Sequence, residues 1–237
     1  MGKTVGLFGP SGDGKTTSAI INKDGSFNED NIFDENYSGM NPEELFIFNL
    51  DSKELPFPGD KWSVKNRNYI KTKDIADIRN IMTGIAKQPN IKAVLLDTLN
   101  LYLAYKEYND RRRMTFDQWR DVSNDIIEIV DMCNNVLRED QIAYITGHTE
   151  LVTDMDGIDK RVLAVIGKKQ KKQQPEGFFP IVLFTYVEDD GDNEVHYYFE
   201  TKKNKSSAKT PIGMFKDFRV PNSLSLIDET IRKYYNI

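Results

Sequence analysis

A doubly wound, mostly parallel α/β sheet with a C-terminal β-hairpin and a closing helix is the fold this sequence predicts, on three observations. Apolar runs alternate with helical, amphipathic segments as far as Glu150, the pattern of strands buried on both faces and joined by helical crossovers. The first of these runs passes directly into a glycine-rich turn of fixed spacing. Nearer the C-terminus, two strand-like runs separated by "EDDGDNE" read as a hairpin, and a last helical pattern comes after them. The chain, 1–237, reads as a single domain with an insertion at 22–39 and no internal repeat.

In chain order, "TVGLFG" (Thr4 to Gly9) is a short strand, and Lys15 onward predicts a helix. "NKDGSFNEDNIFDENYSG" (Asn22 to Gly39) is rich in Asn, Asp and Gly and lacks periodicity, so it reads as an excursion or flexible loop. Its opening "NKDG" is not a guanine-reading NKxD, because the fourth residue is Gly25. "ELFIFNLD" (Glu44 to Asp51) is a second strand, and the proline-rich "ELPFPG" after it must leave the sheet. Ile75, Ile78, Met82 and Ile85 recur at helical spacing and predict a helix over Lys73 to Lys87, stopped by Pro89. "IKAVLLDT" (Ile91 to Thr98) is a buried strand ending in an acid. Trp119, Val122, Ile126, Ile129, Cys133 and Val136 mark a long helix capped at Thr115. "IAYITGHTE" (Ile142 to Glu150) is the next strand, and a polar, basic connection leads from it to the hairpin. A closing helix spans Ser223 to Tyr234.

Composition removes several function classes. Hydrophobic residues make up 39% of the chain and charged residues 29%, which is too apolar for a disordered protein. No apolar run approaches the ~20 residues a membrane span needs, and "MGKTVGLFGPSG" begins a strand rather than a signal peptide, so a cytoplasmic, membrane-free location is expected. A lone Cys133 with only His148 and His196 leaves no usual zinc ligand set. A net charge of −5 argues against wholesale coating of nucleic acid. Two basic clusters stand out: Lys160, Arg161, Lys168, Lys169, Lys171 and Lys172, then Lys202, Lys203, Lys205 and Lys209. By charge alone they read as solvated loops.

The turn after the first strand carries the clearest chemistry. "GPSGDGKT" fits GxxxxGKT, with Gly9, Gly14, Lys15 and Thr16 in the fixed places. Such a loop points successive backbone amides at a β-phosphate, so Gly9, Pro10, Ser11, Gly12, Asp13 and Gly14 are the candidate cradle. Lys15 adds positive charge toward the β- and γ-phosphates, Thr16 is a candidate magnesium ligand, and Thr17 belongs near the α-phosphate. Asp97, ending a buried strand, is the second half of the metal site, and Thr98 and Asn100 beside it could position water. His148 and Thr149 end the next strand, where a neutral imidazole can sense a phosphate; His196, inside the hairpin, reads as structural. If the Glu44 to Leu50 run inserts between the loop strand and the Asp97 strand, the chain belongs with ATPases carrying an added strand there, RecA-like and AAA-type motors among them. In RecA-like enzymes the water-activating acid ends the second strand, which makes Asp51 and Glu54 candidates beside a purely structural reading of "DSKE".

Longer phrases carry a more specific likeness: "GPSGDGKTTSAI", "NPEELFIFNLDSKELPFPG", "IKAVLLDTLNLY", "YITGHTE", "KRVLAVIGKKQ", "EGFFPIVLFTYVE", "SSAKTPIGMF" and "VPNSLSLIDETIRKYY". In these the sequence resembles the phage P-loop nucleotide-binding proteins, RecA-like ATPases of single-strand annealing and recombination. The resemblance implies a RecA-like core, ATP with Mg2+, assembly into rings or filaments, and, if phage-encoded, a place in the host cytoplasm. Single-stranded DNA is the implied partner, with a single-strand-binding protein a further candidate. It places Gly9 to Thr17 on the phosphates, Asp97 at magnesium and His148 at the sensor position. It also recasts Lys160 to Lys172 as a candidate DNA loop, and Lys202, Lys203, Lys205 or Lys209 as a group acting on a neighbouring subunit's nucleotide. Asn22 to Gly39 falls outside the family pattern, and Thr98 stands where relatives often carry a second acid, which weighs against fast hydrolysis. An AAA-type motor or loader in replication or packaging, and a slow nucleotide-binding switch, are the alternatives. Against the first stand a C-terminal region without a helical lid and the lack of a clear arginine finger there.

Overall fold

The computed structural model describes residues 2–30, 32–51, 53–110, 116–153, 157–165, 174–189, 191 and 194–237. Its sheet is built outward from the first apolar run. β1 (Lys3–Phe8) pairs in parallel with β5 (Ile142–Gly147) on one side and with β8 (Ile181–Asp189) on the other. Beyond β5 lie β4 (Ala93–Asp97), β2 (Leu45–Asn49) and the short β3 (Tyr69–Lys71), all parallel. Beyond β8 lie β9 (Val195–Glu200) and β10 (Arg219–Pro221), each antiparallel to its neighbour. Among the described residues the order is β10-β9-β8-β1-β5-β4-β2-β3. The expected doubly wound, mostly parallel sheet, with its C-terminal hairpin and closing helix, is the fold observed.

The condition posed for the Glu44 to Leu50 run is not met. The strand that enters between the loop strand and the Asp97 strand is β5, whereas the Glu44 to Leu50 run lies beyond β4. A central slot suits β5, which is buried along its whole length and carries no charged group. The second run opens at Glu44, closes at Asp51 and meets only the three-residue β3 on its far side.

Strand alternation divides the apolar side chains between two cores. Phe8, Phe46, Phe48, Val94, Leu96 and Ile145 meet α1 (Ile75–Ile85), α2 (Leu99–Asp110) and α3 (Phe116–Val136) on one face. Val5, Leu7, Leu45, Ile47, Leu95 and Tyr144 face α4 (Leu224–Tyr235) and the 22–39 excursion on the other. Helix ends obey local chemistry. The Asp74 carboxylate accepts from the Ala76 amide at 2.7 Å to start α1, and the Ser223 hydroxyl accepts from the Leu226 amide at 3.3 Å to start α4. The expected cap of α3 at Thr115 lies outside the described residues. Cys133 on α3 is fully buried, and burial pushes its thiol up to about 12, so it acts as core.

Three segments differ from expectation. α2 begins almost at once after β4, its buried Leu99, Tyr102 and Leu103 falling at helical spacing. The excursion packs on the core: Phe33 sits 5.0 Å from Tyr37 and 6.1 Å from the buried Trp62. Its ends are tied where the Asn22 side-chain oxygen accepts from the Ser38 amide at 2.8 Å. Finally, the run through Glu150 breaks at His148, and the chain continues into a separate antiparallel ribbon, β6 (Thr149–Thr153) and β7 (Asp159–Leu163).

This ribbon is bolted down by Arg161, which the sequence had suggested for DNA. Its guanidinium donates to the Thr185 carbonyl at 2.8 Å and pairs with Glu200, which is 1% exposed, while its own amide donates to the Lys205 carbonyl at 2.8 Å. A cation turned inward on a buried carboxylate is a structural one. Among the described residues, Arg161→Ala leaves Glu200 with only the Arg219 cation, 3.7 Å away. The expected cost is about 3 kcal/mol, read as a thermal midpoint lowered by roughly 6–12 °C in a calorimetric scan. Arg161→Ala/Glu200→Gln should recover much of that loss.

Candidate nucleotide-binding site

The glycine-rich loop leaves β1 at Gly9, whose amide donates to the Gly147 carbonyl at 3.0 Å. A Cβ at Gly9 would lie 1.6 Å from the Thr185 hydroxyl, so no larger residue fits. Gly14 has φ +75°, a conformation L side chains rarely adopt, at the point where the chain turns back under the loop. The loop then enters a 3-10 turn, Thr17–Ala19, in place of the expected α-helix. The β-branched Thr16, Thr17, Ile20 and Ile21 give way quickly to Asn22 and Gly25, and so short a stretch cannot recover the cost of helix nucleation. An anion here would be held by loop amides and Lys15, with no helix dipole behind them.

Lys15 is 5% exposed, and its ammonium donates to the carbonyls of Gly9 at 2.9 Å and Pro10 at 2.5 Å. Burial lowers its pKa from the ordinary lysine value, with Asp13 and Asp97 opposing the shift. Asp97 is the hub of the site. Its carboxylate accepts hydroxyl bonds from Thr16 at 2.8 Å, Thr98 at 2.7 Å and Thr146 at 2.5 Å. Thr146 reaches it because β5 sits between β1 and β4.

His148 caps β5, half-buried at the rim of the same cleft. Burial lowers its pKa most, and the nearby Lys15 ammonium lowers it further. It is therefore a neutral imidazole at pH 7. Its amide donates to the Asn100 side-chain oxygen at 2.5 Å, and its carbonyl accepts from the Ala164 amide at 2.8 Å. Asn100 also donates to the Ala164 carbonyl, so one side chain on α2 clamps both ends of the β6–β7 ribbon.

A cleft of about 280 Å³ joins these groups. Ser11, Gly12, Gly14, Lys15, Thr16 and Thr17 line it from the loop; Asp97, Thr98 and His148 come from the strand ends; Asp51 and Glu54 close the far side. The two acids differ in setting. The Asp51 side chain is 12% exposed, while Glu54 is 89% exposed and paired with Lys71 at 2.5 Å. Hard oxygen donors at Thr16 and Asp97, beside a phosphate cradle, fit Mg2+ completed by phosphate and water oxygens.

Two contributors were missed from sequence. Asn49, directly across from Asp97 in the sheet register, holds Asp51 and Lys53 by accepting from the Asp51 amide at 3.2 Å and donating to the Lys53 carbonyl at 2.6 Å. Thr146 was hidden as one hydroxyl in an apolar strand. The faint signal for each was a polar side chain near the carboxyl end of a buried run.

The basic clusters are less clearly placed. Lys160 lies partly buried on β7, and Lys168, Lys169, Lys171 and Lys172 lie outside the described residues. Lys202 donates to the Lys216 carbonyl at 2.7 Å, and Lys203 and Lys205 are exposed. Lys209 donates to the Gly177 carbonyl at 3.4 Å, and burial lowers its pKa. No helix among the described residues is long and apolar enough to cross a membrane.

No protein-family model matches this chain, and no curated protein matches it. Among solved structures, a KaiC-like protein from the hyperthermophilic archaeon Pyrococcus horikoshii OT3 is similar over 88% of this chain and 82% of that one, with 12% identity and a TM-score of 0.48.

Proposed function

We propose that this chain is a Mg2+-dependent ATPase of RecA-like type that acts on single-stranded DNA, in annealing or strand pairing. The observation carrying this reading is the convergence of the phosphate loop, the Thr16–Asp97 pair and neutral His148 on one cleft, with Asn100 tying His148 to the β6–β7 ribbon. Bound nucleotide would draw the Lys15 ammonium off the Gly9 and Pro10 carbonyls onto phosphate oxygens. Thr16 and Asp97 would hold the metal, which supplies charge neutralisation at the phosphates. Asp51, held by Asn49, is the better placed of the two acids to orient water, since Glu54 is drawn to Lys71. Neutral His148 can donate to a terminal phosphate and pass its presence to the ribbon through its own backbone.

Lys160 on this ribbon and the lysines after it in sequence supply the DNA contacts of the proposal, with self-association into a ring or filament bringing Lys202, Lys203, Lys205 or Lys209 toward a neighbour's nucleotide. Fluorescence anisotropy with a labelled single-stranded oligonucleotide tests this. Binding should strengthen with a nonhydrolysable ATP analogue and weaken steeply with salt, as phosphate contacts do. No binding at low salt with the analogue present defeats the proposal.

A slow nucleotide switch is the second reading, favoured by Thr98 after Asp97 and by the engagement of Glu54 with Lys71. DNA-stimulated phosphate release would exclude it.

A further inference from the structure

Beside the phosphate cleft lies a second cavity, of about 590 Å³, that shares Gly12, Gly14, Thr17 and Pro56 with it. One wall is the 22–39 excursion, through Asp24, Gly25 and Phe27; the other is the C-terminal hairpin region, through Tyr197, Pro221 and Asn222. We propose that this cavity takes the nucleoside half of the ligand, with the base between Phe27 and Tyr197 and a ribose hydroxyl on Asn222. The proposal rests on the reading of the adjoining loop as a triphosphate cradle.

Three observations carry it. First, the apolar rings are exposed where they meet the cavity: Phe27 is 42% and Tyr197 43% exposed. A flat aromatic ligand would bury them, and every nucleobase has a face that stacks on such rings. Second, the cavity is continuous with the loop. A Cβ at Gly14 would meet the Tyr197 ring at 3.3 Å and the Asn222 amide nitrogen at 3.2 Å, so both side chains touch the phosphate end. Third, Asn222 is 2% exposed, and its side-chain oxygen has no hydrogen-bond partner among the described residues. Its amide nitrogen donates to the Asp13 carbonyl at 3.2 Å, which fixes which way the group points. A buried acceptor left unpaired is an uncommon arrangement that a donor on the ligand would complete.

The excursion is preorganised for this task. Gly25 approaches Pro221 so closely that an added Cβ would lie 3.1 Å from the proline ring. The Ser223 hydroxyl donates to the Ile21 carbonyl at 3.0 Å, and Lys23 pairs with Glu229 on α4 at 2.5 Å. With Phe33 seated by Trp62, the wall stands before any ligand arrives, which limits the ordering cost of binding.

Calorimetric titration with Mg-ATP and, as the probe without base or sugar, Mg-tripolyphosphate separates this proposal from the one beneath it. Phe27→Ala and Tyr197→Ala should each weaken ATP about tenfold or more; Phe27→Ala should leave tripolyphosphate unchanged, and Tyr197→Ala, whose ring reaches Gly14, should weaken it far less than ATP. Tyr197→Phe, which keeps the ring, should bind ATP as the native protein does. Removing both ribose hydroxyls, in 2′,3′-dideoxy-ATP, should weaken binding to the native protein and make no difference to Asn222→Leu. ATP affinity within twofold of native in both alanine variants overturns the proposal, as does an equal loss for ATP and tripolyphosphate. Failure of the underlying triphosphate reading looks different: Lys15→Ala would then leave both ligands unaffected.

Discussion

Lys15→Ala is expected to lower ATP affinity about a hundredfold or more while leaving the empty protein folded. The ammonium is nearly sealed from water and already makes two charge-assisted bonds inside the loop. Each such bond to an anion is worth about 1.5–3 kcal/mol, and about 1.4 kcal/mol is a factor of ten in affinity. Alanine forfeits both contacts with phosphate and also relieves the protein of a buried charge, so its thermal midpoint should stay level or rise. Equilibrium binding and a melting scan on the same sample check both halves. A variant that binds ATP normally would remove the phosphate-loop reading; one that does not fold would show that Lys15 holds the loop together from within.

The second large effect is at Asp97, where the choice of substitution separates chemistry from architecture. Asp97→Asn keeps an acceptor oxygen for the surrounding threonines and removes the negative charge that the proposed metal site would need. Loss of a few kcal/mol of transition-state stabilisation predicts phosphate release slowed by about 10²–10³-fold, with a nearly native melting temperature. Asp97→Ala also takes the carboxylate from the buried Thr98 and Thr146 hydroxyls, leaving the longer contacts of Thr146 to Thr98 at 3.3 Å and to the Leu96 carbonyl at 3.4 Å. That adds about 2–3 kcal/mol of instability, or roughly 5–10 °C in midpoint. Steady-state phosphate release with Mg2+, set beside melting curves, resolves the pair. Equal turnover in the native and Asn proteins would exclude Asp97 from the metal site.

Much of the fold was legible because buried parallel strands write themselves as uninterrupted apolar runs. β1, β2, β4, β5 and β8 all stood out this way, and the spacing of Gly9, Gly14, Lys15 and Thr16 located one end of the sheet. Strand order was not legible, since it depends on which of two equally apolar runs fills the central slot; β5 won, and Thr146 came with it. The 22–39 segment was legible as an excursion, but not as one packed on the core. Its polar composition is that of a loop, yet Phe33 and Tyr37, two rings in a long polar stretch, are enough to seat it by Trp62. Arg161 shows the limit of reading charge: a cation in a basic cluster faces a glutamate 39 positions away, a pairing that only tertiary structure creates. The helix expected after Lys15 failed because local nucleation, rather than composition, decides such short elements.

The joint at Gly147 and His148 gives the molecule something like a short-armed lever. On one side the Gly147 carbonyl is held by Gly9 of the phosphate loop; on the other the His148 carbonyl is held by Ala164 at the foot of the ribbon. Gly147 has no room for a side chain, since a Cβ there would lie 2.4 Å from Leu163. Two adjacent residues therefore form the fulcrum, and a single peptide unit separates the glycine-rich loop's anchor from the foot of the ribbon that carries Lys160. A joint so short leaves hardly any soft backbone between the two, so under the proposed function a displacement of the loop would reach the ribbon with little loss.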